Sequence, residues 1–179
     1  MNKEFLDKYG NPDADGDGAL DQKWFYANIK MFRLPFPMYK SWGDFGAIKT
    51  FQAHKLAGDK IIAAFTKMLA LASMRAEDDS KKNMVSTEEA KPDALAWLRA
   101  QKYDIWGGCF EWRKVRGGAE WSKHGFGVAV DICPDIGQLG NVEERDSYPR
   151  FIVDAFKSEG FSWGGDFIGR VDPMHFELS

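Results

Sequence analysis

The segment WSKHGFGVAVDIC, residues 121–133, places a carboxylate inside an apolar run. Asp131 stands between Val130 and Ile132, where a strand normally buries apolar side chains. An unpaired buried carboxylate costs on the order of several kcal/mol, so the fold must supply a cationic partner or neutralise the group. A bound metal ion is one such partner, and this requirement constrains every structure that the chain can adopt.

Length and charge limit the remaining choices. A chain of 179 residues is long enough for one sizeable core, and its net charge of −3 gives no reason to expect nucleic acid as a partner. Its apolar runs fall short of the roughly 20 residues that span a membrane. We therefore expect a monomeric single domain over residues 1–179, without membrane insertion, in which residues 1–50 form an irregular N-terminal extension packed on the core.

The N-terminus predicts a cytoplasmic product, and this compartment sets the expected state of the cysteines. The first residues contain no apolar segment of the kind found in signal peptides, which predicts synthesis in the cytoplasm. In that compartment Cys109 and Cys133 are expected to be reduced, buried thiols. A disulfide between them, or a zinc thiolate, stays open as an alternative.

Apolar residues at helical spacing predict a first helix over residues 51–73. The polar stretch that begins at Ala76 is predicted to be a loop. The predicted buried face of the helix consists of Leu56, Ile61, Phe65, Met68, Leu69 and Ala72.

Two further helices are predicted from their boundary residues. One is expected to begin near Pro92, which suits a first helical turn, and the other has Pro149 near its start and Gly160 as its stop. The apolar residues of the earlier helix are Leu95, Trp97 and Leu98.

Two segments are predicted to be strands. Residues 126–132 are rich in β-branched side chains, and residues 171–179 form an extended C-terminal segment. A few strands after long helices indicate the α+β class. We expect a small, mainly antiparallel sheet that carries a zinc site, with the helices packed on one side.

An acidic loop near the N-terminus resembles the opening of a calcium-binding EF-hand. Asp13, Asp15 and Asp17 alternate before Gly18, as they do in such loops. The twelfth position from Asp13 is Trp24, where an EF-hand requires a glutamate. A solvated Asp/Gly turn is therefore favoured over calcium binding, which stays the alternative.

Histidines and a carboxylate suggest a zinc site. His54 falls on the apolar face of the first predicted helix and is expected to be a core or boundary residue. His124 and Asp131 are seven residues apart, so a continuous strand would place them on opposite faces. Gly125 and Gly127 permit a turn before the strand, which allows both side chains to converge.

The C-terminal strand offers the remaining groups. His175 would complete a His/Asp/His set, the type of ligand set that leaves a fourth zinc position for water. Asp172 lies three residues earlier, where a carboxylate beside a metal-activated water can accept its proton. The alternative for Asp172 is an Asp-Pro turn cap. Glu177 is the rival base or a supporting residue.

These residues carry a family resemblance. SKHGFGVAVDI resembles the Ser-x-His-x-x-Gly-x-Ala-x-Asp signature of the zinc D-Ala-D-Ala carboxypeptidase and L-alanyl-D-glutamate endopeptidase family. The ending WGGDFIGRVDPMHFE is similar to the Asp/Glu-x-x-His close of that family, as found in phage endolysins. FQAHK, GGCFEWRKVRGG and GFSWGGD extend the likeness from about residue 35 to the end.

The resemblance implies a role for each matching residue. His124, Asp131 and His175 would bind one zinc ion, and Asp172 would be the catalytic base. Two other kinds of residue would act on the substrate: a serine that supports the site or binds substrate, and an arginine that holds substrate or stabilises the oxyanion. These residues are Ser122, and Arg113 or Arg116.

The implied function is hydrolysis of the peptide stem of bacterial peptidoglycan. Either an L-Ala-D-Glu endopeptidase of the endolysin type or a D-Ala-D-Ala carboxypeptidase satisfies the motifs. An endolysin made in the cytoplasm would reach the cell wall through membrane lesions made by a separate, holin-type protein. The alternative is a non-catalytic zinc-containing binding module of the same fold.

Overall fold

The computed structural model of the protein describes residues 1–43, 46–82 and 93–179, and its architecture is α+β, as predicted. The α-helices of this described part are α1 (Lys3–Tyr9), α2 (Gln22–Asn28), α3 (Gly58–Lys82), α4 (Ala94–Ala100), α5 (Val142–Ser147) and α6 (Arg150–Lys157). The strands are β1 (Ile29–Met38), β2 (Ile48–His54), β3 (Trp106–Gly108), β4 (Ala129–Ile132), β5 (Ser162–Trp163) and β6 (His175–Glu177).

The strands form two antiparallel sheets in the described part of the chain. One pairs β1 with β2, and the other has the order β3-β4-β6-β5. Every pairing in the second sheet is antiparallel, so the predicted antiparallel arrangement is confirmed. β4 and β6 are its central strands, and they carry Asp131 and His175.

Helix α3 provides the main packing surface for the rest of the fold. Ile61, Phe65, Met68 and Ala72 of its predicted apolar face are fully buried. The helix packs against α4, α6 and β1, and the ring of Phe65 meets that of Phe156 edge to face at 5.2 Å. Burial of each larger side chain contributes about 1.5–3 kcal/mol to folding. The apolar stripe predicted from the sequence is therefore a core-forming face.

The predicted start of this helix was wrong. Residues 51–54 belong to strand β2, and Leu56, assigned to the buried face, lies in a turn and is half exposed. The helix begins at Gly58, where a Cβ atom would lie 2.1 Å from the ring of Phe32. This close approach of the helix start to β1 depends on tertiary packing, which a helical apolar pattern does not encode.

The predicted loop after Ala76 was also wrong up to the end of α3. Residues 76–82 are helical, and the Ala76 side chain is buried. Glutamate and lysine are good helix formers, so a polar composition alone does not end a helix. The remainder of the predicted loop and Pro92 lie outside the described residues.

The other helix predictions are confirmed. Asp93 caps the N-terminus of α4 by accepting a hydrogen bond from the Leu95 backbone N–H at 2.9 Å. Helix α6 follows Pro149, and Gly160 adopts a left-handed conformation (φ +88°) after the helix ends. None of the helices in the described residues is long and apolar enough to cross a membrane.

The expectation of an irregular segment over residues 1–50 was wrong. This part of the chain contains α1, α2, β1 and the start of β2. Phe5 and Trp24, from the two short helices, both pack edge to face on Phe126. Helices of seven residues span only two turns, which is too short for a clear apolar period in the sequence.

The two cysteines are free and buried, as predicted for reduced thiols. Cys109 precedes the segment that lines the candidate site, and Cys133 follows β4 directly. Burial raises the pKa of both thiols, which keeps them protonated and unreactive at neutral pH.

His54 lies at the end of β2 rather than on a helix, and it is a core residue, as expected. Its Nε2 donates to the Tyr9 carbonyl at 3.2 Å, while its Nδ1 accepts the backbone N–H of Leu56 at 3.1 Å. These two bonds require the neutral ring. Burial is the main cause that lowers the pKa of His54 to about 4.

This pKa predicts an acid-dependent loss of stability. In the unfolded chain His54 binds a proton below about pH 6.5. In the folded chain it binds this proton only below about pH 4. The contribution of neutral His54 to the free energy of unfolding is complete above pH ~6.5. It is lost as the pH falls towards ~4, by at most about 1.4 kcal/mol per pH unit.

The His54→Gln variant keeps a donor and an acceptor but cannot titrate. We expect its free energy of unfolding to fall less steeply than that of the wild type between about pH 6.5 and pH 5. Urea unfolding of both proteins at equal metal content measures the difference. If the free energy of unfolding changed equally with pH in both proteins, the assignment of a buried neutral ring to His54 would be contradicted.

Candidate metal centre

His124 is positioned by a short 3₁₀ helix, Lys123–Phe126. The Ser122 hydroxyl caps this helix by accepting the His124 backbone N–H at 3.3 Å. The helix ends at Gly127 (φ +67°), where a Cβ atom would lie 2.6 Å from the backbone nitrogen of His54. The turn predicted from the glycines is therefore present, and β4 starts after it at Ala129.

Asp131 and His175 are direct neighbours across β4 and β6. The side chains of opposite residues in an antiparallel pair project on the same face, so both groups point to one side of the sheet. On the other side of β4, Gly107 in β3 lies so close that a Cβ atom there would be 2.6 Å from the Asp131 Cβ. Because Gly107 has no side chain, Asp131 fits beside it.

The three predicted ligands form a compact triangle of donor atoms. His124 Nε2 lies 3.1 Å from Asp131 Oδ1 and 3.2 Å from His175 Nδ1. The third side, from His175 Nδ1 to Asp131 Oδ1, is 2.9 Å. Ligands bound to zinc at about 2.0–2.1 Å in a tetrahedron lie about 3.3–3.4 Å apart. The triangle is only a few tenths of an ångström smaller.

The far nitrogen of each histidine ring is already engaged. His124 Nδ1 lies 2.6 Å from the Cys109 carbonyl, and His175 Nε2 lies 3.0 Å from Glu177 Oε2. Both partners can only accept, so each far nitrogen carries the proton. In the neutral rings, the lone pairs of the near nitrogens then point at the Asp131 carboxylate. Three electron-pair donors converge, and such an arrangement requires a cation.

The electrostatics of the cluster agree with this requirement. Burial alone would raise the pKa of Asp131, but the neighbouring His124 and His175 outweigh burial and lower it. Burial alone would lower the pKa of His175, but hydrogen bonds to Asp131 and Glu177 raise it to about 10. Without a metal, a proton on His175 supplies the positive charge, and zinc binding would displace that proton.

Asp172 lies beside the cluster on the turn before β6. With the three ligand residues it lines a cavity of about 380 Å³. Its Oδ1 is buried and accepts no hydrogen bond from the described residues. Burial, followed by the charge of Asp131, raises the pKa of Asp172 to about 6. This carboxyl group is therefore able to gain and lose a proton near neutral pH.

The turn that carries Asp172 rests on a second glycine. The Asp172 backbone N–H donates to the Gly164 carbonyl at 2.9 Å. A Cβ atom on Gly164 would lie 2.3 Å from the Asp172 carbonyl oxygen and 3.1 Å from the His175 Cβ. Gly107 and Gly164 each follow a tryptophan in a WGG sequence, a repeated signal that the sequence analysis did not use.

The remaining predicted residues surround the same cavity. Ser122, Arg113 and Arg116 all line it. The Ser122 oxygen serves as the helix cap, and Arg113 Nε donates to Glu111 Oε2 at 2.8 Å. Arg116 is exposed and influences the pKa of Asp172 by lowering it. Both arginines therefore lie at the site, and the choice between them stays open.

The Cys109 carbonyl, the partner of His124, was not among the predicted site groups. A backbone acceptor has no signature in residue type, so no sequence signal pointed to it. Glu177 was considered either as a rival base or as a supporting residue. Its carboxylate lies on the far nitrogen of His175, on the side of the ring away from Asp131.

The acidic N-terminal loop has the geometry of an Asp/Gly turn. The carboxylates of Asp13, Asp15 and Asp17 lie close together, but each accepts a backbone N–H of the same loop. Trp24, at the twelfth position, is buried in the core. One oxygen from each carboxylate also lies within 4.8 Å of the others, so the Asp/Gly turn is present and calcium binding stays the alternative.

Comparison with known proteins finds a family to which the C-terminal third of the chain is similar. Residues 116–178 match the family model described as D-alanyl-D-alanine carboxypeptidase, and they contain the donor triangle and Asp172. A comparison with solved structures gives no significant match. The resemblance expected from the motifs is confirmed over this segment, which carries the candidate metal centre and is similar to this peptidase family.

Proposed function

We propose that the protein is a zinc-dependent peptidase that hydrolyses the peptide stem of bacterial peptidoglycan. The observation that carries the proposal is the buried triangle of His124, Asp131 and His175, whose donor atoms lie 2.9–3.2 Å apart. The family match over residues 116–178 supports a peptidase acting on this class of substrate. An endolysin role, expected from the motifs, is part of the proposal.

The donor set fits zinc. Two imidazoles and one carboxylate make up a common catalytic ligand set, and both rings are held by acceptors on their far nitrogens. A zinc ion held there would supply Lewis acidity, which polarises the substrate carbonyl and acidifies a water molecule.

Asp172 would handle the proton. Asp172 lines the cavity beside the donor triangle, and its buried Oδ1 has no hydrogen-bond partner among the described residues. From there the carboxylate can accept a proton from the attacking water and return it to the leaving amine. Burial, which is the main cause that raises the pKa of Asp172, favours proton transfer by this carboxyl group.

The arginines and Ser122 would serve the substrate. A guanidinium stays charged and its forked donors match carboxylate or carbonyl oxygens, so Arg113 or Arg116 would orient the peptide and stabilise developing negative charge. Ser122 fixes the backbone of His124 through its oxygen, and its hydroxyl hydrogen is available to a substrate acceptor.

The alternative of a non-catalytic zinc module gives the buried, unpartnered oxygen of Asp172 no role. Zinc-dependent release of soluble peptide from purified cell wall separates the two functions. A module that only binds the wall would retain zinc and release nothing.

The first prediction concerns the metal. The purified protein should bind about one zinc ion per chain, and His124→Ala and His175→Ala should each lose stoichiometric zinc because the triangle loses one corner. Elemental analysis after dialysis measures the content. His54→Gln is the matched control, since its ring lies in the core with both nitrogens occupied, and it should retain zinc.

Full zinc content in either alanine variant, with the fold intact by circular dichroism, would remove that histidine from the ligand set.

The second prediction separates the two carboxylates that flank His175. Asp172→Asn should keep zinc affinity but lose about 10²–10⁴-fold in turnover, because the amide cannot accept a proton. Glu177→Gln should weaken zinc affinity by about tenfold and keep most turnover at saturating zinc, because Glu177 holds a ligand ring. Zinc titration and peptide release measure the two effects separately.

The reverse pattern, with near-normal turnover in Asp172→Asn and a large loss in Glu177→Gln at saturating zinc, would reassign the base to Glu177.

A further inference from the structure

Two cavities meet at the donor triangle. The first, about 380 Å³, is lined by Phe167, Met174 and His175, and we call it the C-terminal cavity. The second, about 360 Å³, is lined by Trp42 and Gln52, among others, and we call it the strand cavity because β2 forms one of its walls. The residues that line both cavities are Arg113, Arg116, His124 and Asp131.

The shared wall places the candidate metal centre between the cavities rather than at the end of one. The His124 and Asp131 side chains face both spaces, whereas His175 and Asp172 line only the C-terminal cavity. A peptide whose scissile carbonyl lies at the triangle would therefore have space on both sides of that bond.

Exposed residues line both cavities. The C-terminal cavity is bordered by exposed Glu120 and Arg170. The strand cavity is bordered by exposed Thr50, Gln52 and Trp42, whose indole is about half exposed at 48%. Each cavity therefore reaches the surface of the described part of the molecule.

The charges of the C-terminal cavity also argue against a dedicated carboxylate pocket. A carboxypeptidase must bind the free carboxylate of the terminal residue one residue beyond the scissile bond, which favours a small cationic pocket. Here the basic and acidic side chains are interspersed along the cavity wall rather than gathered in one cationic pocket: Arg113, Arg116, Lys123 and Arg170 share it with Glu120, Asp172 and Glu177. The space is also far larger than a single terminal alanine.

Resting on the proposed peptidase function, we infer that the protein is an endopeptidase, which binds the stem peptide along both cavities and cleaves an internal bond. The C-terminal cavity is lined mainly by residues of the segment that matches the family, 116–178. The strand cavity is built mainly from Lys40, Trp42, residues 50–52 and residues 106–111, which lie outside that segment. The part of the chain before the matched segment thus supplies one half of the substrate groove.

The experiment compares three substrates with the zinc-loaded protein: purified cell wall, and an N-acetylated stem pentapeptide ending in D-Ala-D-Ala, either as the free acid or as the C-terminal amide. Mass spectrometry of the products identifies the bond that is cut. We expect cleavage of an internal bond, with rates for the acid and the amide that agree within about threefold, since an open groove makes no use of the terminal charge.

A second measurement tests the strand cavity by binding rather than by turnover. Calorimetry measures the binding of the amidated pentapeptide to the Asp172→Asn protein and to the double variant that also carries Thr50→Trp. The tryptophan at this exposed strand position narrows the strand cavity. Lys49→Trp, on the neighbouring exposed position outside the cavity lining, is the matched control. We expect about tenfold weaker binding with Thr50→Trp and less than twofold change with Lys49→Trp.

Release of a single terminal D-alanine that falls about 100-fold with the amide would overturn the inference and leave the peptidase function standing. Equal affinities for the Thr50→Trp and Lys49→Trp proteins would remove the strand cavity from the groove. No hydrolysis of any of the three substrates would overturn the proposed function as well.

Discussion

The need of the Asp131 carboxylate for a positive charge organises the centre of this protein. The carboxylate is buried in the middle of a sheet, where an uncompensated charge would oppose folding. The β4–β6 pairing brings His175 directly opposite, and the 3₁₀ turn that ends at Gly127 returns His124 to the same face. The same three side chains therefore allow Asp131 to be buried and form the candidate catalytic centre.

The part of the chain outside the family match contributes more than packing. Phe5 and Trp24 cover Phe126, which lies in the same short helix as His124. The Cys109 carbonyl fixes the His124 ring, and β2 walls the strand cavity. The predicted ligands come from the matched segment, whereas the orientation of the His124 ring and half of the adjoining space come from the preceding residues.

The sequence predicted the parts of the structure that depend on local patterns. The apolar face of α3, the turn before β4 and the convergence of His124, Asp131 and His175 follow from residue spacing and glycine positions. The start of α3 was not predictable, because it depends on the approach of Gly58 to the Phe32 ring from a distant strand. The short N-terminal helices were missed since seven residues carry too little periodicity, and their burial is decided by contacts with Phe126.

The bond between the His124 ring and the Cys109 carbonyl has an evolutionary consequence. Because the acceptor belongs to the main chain, the side chain at position 109 can change without removing the partner of His124. Related sequences could therefore drift at this position while the ring keeps its orientation, provided that the path of the backbone is preserved. A comparison of residue identities alone would then overlook one of the contacts at the candidate metal centre. The nearby Gly107 would instead appear as an invariant position, because a side chain there would collide with Asp131.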